Sequence, residues 1–247
     1  MLSTRDPSAA FRHEGRVSVA SITKPAKATQ TAAVNAAAAG ASASEGTGNI
    51  KVKGISGTLN KGDVHQTMEA RQEAFDACIQ ESRRSVRWVS GAIKFGFRVD
   101  AEGRISELRP LSSTIGHRAL EQCITGAVLE TQFPKPAGRA TAEFDWGMSI
   151  DSVGPKAFED TDKKSSKPFA RLARKEARDL FGTCEIKRRR ARFRLTAYVA
   201  AGGKLLSAGA VPLPASADDK VDCVLEQFGK WHLPKVKRAS KISFDVR

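Results

Sequence analysis

An internal repeat constrains this chain more than any other feature of its sequence. When the sequence is shifted by 100 positions, identical residues align without a gap. The identical pairs are Val99/Val199, Ala101/Ala201, Gly103/Gly203, Cys123/Cys223, Pro134/Pro234, Lys135/Lys235, Phe144/Phe244 and Asp145/Asp245. Apolar residues also occupy both positions of further pairs, such as Phe95/Leu195 and Ile124/Val224. The repeat predicts two tandem copies of one supersecondary unit, each of about 80–95 residues.

Hydrophobic periodicity in the first copy predicts the order α-β-β-α-β. The first helix has an apolar face, and an alternating strand, a turn at Gly103 and a return strand to about Leu111 follow it. The helical face consists of Val64, Met68, Phe75, Cys78 and Ile79, and the alternating strand of Ile93, Phe95, Phe97 and Val99. Ser112 or Ser113 is the expected N-cap of the second helix. Phe133-Pro134 ends that helix, and 142–150 alternates again as the final strand.

The second copy repeats this order, so the predicted fold class is α+β. We expect two tandem α-β-β-α-β domains, each a small antiparallel sheet with two helices on one face. The predicted segments are a disordered Ala/Ser-rich tether at 1–57, a first domain at 58–151, a polar linker at 152–167 and a second domain at 168–247. The tether is predicted because its small and polar residues cannot bury enough apolar surface to offset the entropy of the chain.

Composition limits the classes of function. The chain has 247 residues, 40% of them hydrophobic, and a formal net charge of +14. No apolar run approaches the roughly 18 residues of a membrane-spanning helix. The positive charge suits an acidic partner or polymer, although a basic solvated surface explains it as well. Aromatic residues make up only 6% of the chain, which argues against a stacking platform for single-stranded nucleic acid.

Four cysteines, two in each copy, predict covalent links. Each copy has one cysteine at the end of its first helix and one in its second helix, and the two helices are expected on the same face of the sheet. We therefore predict the disulfides Cys78–Cys123 and Cys184–Cys223. Four buried free thiols are the alternative. No cysteine or histidine spacing fits a zinc site, so we expect no metal.

The sequence contains no catalytic motif. It lacks a nucleophile elbow, a phosphate-binding Walker loop and a metalloprotease His-Glu-x-x-His segment. The pair Gly202-Gly203 lies in a predicted hairpin rather than at a helix N-terminus, and the histidines are scattered. We therefore expect a protein that is not an enzyme and has no cofactor.

The residues of the first copy carry a resemblance to a known family. A cysteine-ended helix, an alternating strand, a turn glycine, a cysteine-bearing helix and Phe133-Pro134 before a final strand resemble the TonB C-terminal-like fold. The pattern is similar to the AgmX/PglI C-terminal domain family of gliding-motility and envelope proteins. The resemblance covers 54–150, and 168–247 more weakly, since Trp231-His232-Leu233-Pro234 replaces the Phe-Pro step there.

The resemblance implies a module of the cell envelope that binds proteins in the periplasm. In TonB-type domains an edge strand of the sheet contacts a partner segment, and backbone hydrogen bonds supply affinity. We expect this role for the final strand of each copy, with contact residues Phe144, Asp145, Trp146, Met148, Phe244 and Val246. These apolar residues are alternatively core residues, in which case the backbone edge forms the contact. Family members follow an inner-membrane anchor, but the first 20 residues show neither an anchor nor an export signal. Either the protein stays inside the cell or the sequence begins downstream of a removed anchor, and the cysteines favour the second interpretation.

A cytosolic nucleic-acid-binding protein is the alternative. Its binding residues would be Arg188, Arg189, Arg190, Arg192 and Arg194, next to Lys187. Arg83, Arg84 and Arg87 stand at the matching place in the first copy. Such clusters neutralise phosphates, and their binding weakens with salt. Arg192 and Arg194 alternate with Phe193 and Leu195, which predicts that the two arginines lie on an exposed strand face.

Overall fold

A computed structural model of the protein describes residues 51–56, 59–139, 141–152, 158–160, 166–187, 191–213 and 215–247. These residues lie in one compact unit, 44–247. They form helices and two four-stranded sheets, one for each copy of the repeat. The predicted α+β fold with two sheet-containing units is confirmed. None of the described helices combines the length and apolarity that a bilayer span requires.

The first sheet contains the three predicted strands and one more. Its strands are β1 (Lys51–Ser56), β2 (Gly91–Val99), β3 (Ile105–Ser113) and β4 (Ala142–Ile150). They lie in the order β1-β4-β2-β3, and every neighbouring pair is antiparallel. The turn between β2 and β3 contains Gly103, whose φ of 85° favours glycine. The predicted hairpin and final strand are therefore present.

The second sheet has the same plan. Its strands are β5 (Glu159–Asp160), β6 (Arg192–Val199), β7 (Leu205–Leu213) and β8 (Ser240–Val246). They lie in the order β5-β8-β6-β7. The pairs β6–β7 and β6–β8 are antiparallel, whereas the two residues of β5 run parallel to β8.

Helices cover one face of each sheet. The first copy has α1 (Lys61–Glu69), α2 (Gln72–Arg83) and α3 (Arg118–Leu129), and the second has α4 (Lys167–Thr183) and α5 (Val221–Gly229). Alternate residues of β4 are buried along its whole length. Trp146 is fully buried, with its ring 5.6 Å from that of Phe75 and 6.4 Å from that of Phe95. Each copy thus has its own apolar core between sheet and helices.

Both predicted disulfides are present. Cys78 in α2 is bonded to Cys123 in α3, and Cys184 at the end of α4 is bonded to Cys223 in α5. The bonds close loops of 45 and 39 residues. In the chain-entropy description, loops of this size stabilise the folded state by about 4 kcal/mol each.

Two short strands lie where the sequence predicts irregular chain. The predicted tether 1–57 includes β1, which pairs with β4, and the predicted linker 152–167 includes β5, which pairs with β8. The remainder of the tether, 1–50 and 57, lies outside the described residues. Strands of six and two residues are too short to show a clear hydrophobic alternation in the sequence. They are stabilised by pairing with a sheet that already exists.

The first helix and the second helix cap also differ from expectation. The first helix is interrupted at Ala70 and Arg71, whereas the corresponding α4 is continuous. The predicted caps Ser112 and Ser113 are wrong, because both residues belong to β3. The N-cap of α3 is His117, whose Nδ1 accepts a hydrogen bond of 3.2 Å from the backbone N–H of Leu120. An imidazole is an uncommon N-cap. The general preference of N-cap positions for Ser and Thr therefore predicts the wrong residue here.

Removing either disulfide should lower the free energy of unfolding by up to about 4 kcal/mol. We expect similar losses for Cys78→Ser/Cys123→Ser and for Cys184→Ser/Cys223→Ser, because the two loops differ by only six residues. Urea denaturation with and without reductant measures the loss, and the wild type with reductant is the control. If thiol alkylation without reductant modified the native protein from its own compartment, the assignment of both bonds would be refuted.

Candidate interaction surfaces

The final strand of the first copy is not at an edge of its sheet. Strand β4 lies between β1 and β2, and Lys51, Val52 and Lys53 of β1 face Gly147, Trp146 and Asp145 of β4. The expectation that β4 offers a free edge is therefore wrong. The chain itself supplies the neighbouring strand, from the segment before α1.

The apolar residues expected to contact a partner are core residues. The exposed fractions of Phe144, Trp146 and Met148 are 2%, 0% and 3%. Those of Phe244 and Val246 in the second copy are 6% and 0%. Direct side-chain contact with a partner does not fit this burial, so only the backbone of these strands is suited to such a contact.

The two aspartates of the repeat are ion-paired across strands. Asp145 accepts a hydrogen bond of 2.7 Å from the Nζ of Lys94, and Asp245 bonds the guanidinium of Arg194. Lys94 and Arg194 are themselves related by the shift of 100 positions. The repeat thus indicates both ion pairs, because the cation and the aspartate recur together in the second copy. A search for apolar periodicity alone does not find them. These pairs hold the strands in register on the polar face.

Among the described residues, β5 covers the start of the outer side of strand β8. Glu159 and Asp160 pair with Ser240 and Lys241. Among the residues that the structure describes, no other strand pairs with β8 on that side. The backbone from 242 to 246 is therefore the part of this edge without a described neighbour. A strand edge that carries unpaired N–H and C=O groups is suited to accept an added strand.

The arginine cluster is brought together only in part. Arg188, Arg189 and Arg190 lie outside the described residues. Arg192 and Arg194 are exposed as predicted, but Arg194 is bound to Asp245. In the first copy Arg84 pairs with Glu81 at 2.8 Å, and the guanidinium of Arg87 lies 4.7 Å from the ring of Trp88.

A tyrosine joins the two copies. Tyr198 on β6 is fully buried, and its ring belongs to the core of the first copy rather than the second. Its hydroxyl accepts a hydrogen bond of 3.0 Å from the backbone N–H of Ser90 and donates one of 3.0 Å to the backbone carbonyl of the same residue. The residue at the matching position of the first copy is Arg98, which is half exposed. Sequence analysis missed this residue, although an arginine replaced by the chain's only tyrosine was a visible signal.

Further polar contacts surround this junction. Lys241 Nζ donates a hydrogen bond of 2.7 Å to Ser90 O, and Ser207 Oγ donates one of 3.0 Å to Gly116 O. Arg118 on α3 pairs with Asp222 on α5 at 2.7 Å. Burial lowers the pKa of Lys241 from its ordinary value. The two copies are thus held against each other by specific contacts, whereas the sequence showed only a polar segment between them.

Close backbone approach also shapes the junction. Gly116 has a φ of 71°, and a Cβ at this position would lie 2.9 Å from the Cγ2 of Thr196. Gly209 faces the carboxylate of Glu121, and a Cβ on Gly209 would collide with it. Both glycines therefore leave room for the other copy.

Glu121 is a buried acid at this junction, with an exposed fraction of 4%. Its Oε1 accepts a hydrogen bond of 2.6 Å from Ser113 Oγ, and its Oε2 has no hydrogen-bond partner among the described residues. Burial raises the pKa of Glu121, and the Ser113 hydrogen bond and the charge of Arg118 oppose this rise only in part. The matching residue in the second copy is Val221, which is fully buried.

Two cavities lie at the junction. One of about 490 Å³ is lined by Ser90, Thr114, Asp151 and Lys241, and one of about 410 Å³ is lined by Leu108, Glu121, Leu129 and Val211. Within the described parts of the chain, no three His, Cys, Asp or Glu side chains converge to hold a metal ion.

Comparison with protein-family models, with curated proteins and with solved structures found no match to this chain. The resemblance to TonB-like domains therefore stays a prediction.

Replacing Glu121 should stabilise the protein at neutral pH. Because burial raises the folded-state pKa of this acid above 4.5, the free energy of unfolding should fall as pH rises above 4.5. Glu121→Gln cannot ionise, so it removes this dependence and should raise the free energy of unfolding at neutral pH by about 1.4 kcal/mol for each pKa unit of the shift, because no carboxylate then has to be kept charged in a buried site. Urea denaturation from pH 4 to pH 8 measures the effect. The exposed Glu73→Gln is the control, and an unchanged pH profile in Glu121→Gln would contradict the assignment.

Removing the hydroxyl of Tyr198 should destabilise the contact between the two copies. In Tyr198→Phe the backbone N–H of Ser90 loses its partner, while Ser90 O keeps the hydrogen bond from Lys241. We expect a loss of about 1–3 kcal/mol, together with faster hydrogen exchange at the Ser90 amide. Ser106→Ala, which removes an exposed hydrogen bond far along the first sheet, is the control and should change neither quantity measurably. Unchanged protection of Ser90 would contradict a joining role for the hydroxyl.

Proposed function

We propose that the protein is a non-enzymatic interaction module of the cell envelope, which binds a protein partner by adding an extended partner segment to a sheet edge. On this proposal the module resembles the C-terminal domains of TonB-like envelope and gliding-motility proteins. The binding edge is the outer side of β8, at residues 242–246.

The observation that carries the proposal is the position of β1. This strand precedes the first helix of its copy, and it pairs along the outer side of β4. The edge in question therefore accommodates an added strand in the first copy. The same edge of the second copy, on β8, has only the two residues of β5 beside it among the described strands. Strand addition at such an edge uses backbone hydrogen bonds, which do not require the buried apolar side chains.

The two disulfides support a place outside the reducing cytosol. Bonds of this kind persist in secreted, periplasmic and surface compartments and are rare where glutathione keeps thiols reduced. An extracellular or periplasmic protein is compatible with them. We propose the periplasm, because the resemblance to envelope modules points there.

Photo-crosslinking of the full chain in envelope extract tests the proposal. A photo-reactive phenylalanine derivative in place of Ser243, which lies on β8 where no described strand pairs with its outer side, should give adducts with a partner protein. Peptide mapping of the adducts should identify an extended segment, since side chains on neighbouring strands lie about 5 Å apart.

Two matched positions control this experiment. The same residue in place of Asp145 should crosslink only within the chain, to 51–56, because β1 covers β4 there. In place of the exposed Lys230 after α5, it should give no specific adduct. Equal adducts at all three positions, or none at Ser243, would count against strand addition at β8.

A further inference from the structure

Positive charge is concentrated in the second copy. Residues 168–247 contain 18 Lys and Arg against 8 Asp and Glu, a net charge of +10, whereas 58–151 contain 12 against 13, a net charge of −1. Most of the formal charge of +14 therefore lies in one of two units with the same fold. The repeat does not require this charge, because the first copy has the same fold without it.

Helix α4 carries an uninterrupted row of cations. Lys167, Arg171, Arg174 and Arg178 follow one another at spacings of four, three and four residues. At about 100° per residue they fall within about 60° of the helix circumference and span about 16 Å along it. All four are exposed, and none forms an ion pair with a residue that the structure describes. We call these four residues the α4 basic face.

The rest of α4 holds this face in place. Phe169, Ala173, Ala177, Leu180 and Phe181 are buried against the second sheet, and Cys184 ties the end of the helix to α5. The apolar side of the helix is thus already used by the core. Any ligand of the α4 basic face is therefore recognised by charge, without insertion of apolar side chains.

The first copy shows that the fold does not need these cations. At the offset of 106 that aligns Cys78 with Cys184, the matching residues are Lys61, His65, Met68 and Gln72. Only one of these is a lysine or arginine, and Met68 is fully buried. The row of cations is a property of the second copy alone, which favours a role in binding over a role in folding.

We infer that the α4 basic face docks the protein on an anionic lipid surface. A straight row of cations on a convex helix suits a surface whose charges are laterally mobile, because no fixed spacing has to be matched. The two disulfides favour a compartment without nucleic acid, and this step rests on the envelope location of the proposed function. The two aromatic residues of α4, Phe169 and Phe181, are buried, so the helix offers bases no stacking partner.

Vesicle sedimentation of the full chain tests the inference. Phosphatidylcholine vesicles that contain phosphatidylglycerol should bind the protein at low salt and release it at high salt, and pure phosphatidylcholine vesicles should not bind it. Each basic residue near an anionic surface contributes about 1 kcal/mol, so Arg171→Gln/Arg178→Gln should weaken partitioning roughly 30-fold. The matched control Lys204→Gln/Lys235→Gln removes the same charge from the exposed hairpin end of the second sheet and should weaken it much less.

Several outcomes would overturn the inference. Equal losses in the two variants would show that net charge alone attracts the protein. Binding to a DNA duplex that depends on Arg171 and Arg178, with vesicle binding unaffected, would make the face a nucleic-acid site. Circular dichroism should show both variants folded, as expected for exposed positions. Crosslinking at Ser243 is unaffected by these substitutions, so failure of lipid binding and failure of strand addition are separate results.

Discussion

Each half of this structure depends on covering one apolar face of a small sheet. A small sheet gains independent stability when its apolar face is buried, as by packing against helices, and a core of this size leaves a narrow margin of stability. The helices of each copy provide the cover, and one disulfide joins them on that face. The apolar alternation and the cysteines are the features that this arrangement requires. They are also what the two copies share most clearly.

The uncovered faces of the sheets have diverged, and one exchange changes a solvated face into a contact. In the first copy Arg98 lies half exposed and bonds Glu143 and Glu107 across the strands. In the second copy Tyr198 replaces it, and the first copy covers its ring. The neighbouring Thr196 is 1% exposed for the same reason, while Arg192 and Arg194 further along β6 stay in solvent. The junction therefore occupies one end of the outer face of β6.

Sequence patterns predicted the fold of each copy but not the contacts between the two copies. Periodicity located the strands that bury Phe97 and Trp146, because burial of one face leaves an alternation that can be read directly. The paired cysteines were also accessible from the repeat. Strand β1 and the junction residues Tyr198 and Glu121 were not, since their roles arise only when separate parts of the chain meet. His117 escaped prediction because local preference favours hydroxyl caps, whereas here β3 extends through Ser113.

The two copies cover equivalent sheet edges to different extents, which argues that they have different roles. An exposed edge strand is a liability, because its unpaired backbone groups pair with any suitable chain. The first copy closes its edge with β1 and has nearly balanced charge. The second copy has the excess of positive charge, and the described strands close only the start of β8. On the functions proposed above, the first copy is a rigid support that buries Tyr198, and the second copy carries the surfaces that meet lipid and protein. The polar junction then fixes the direction in which these surfaces point, since Ser90 bonds both Tyr198 and Lys241.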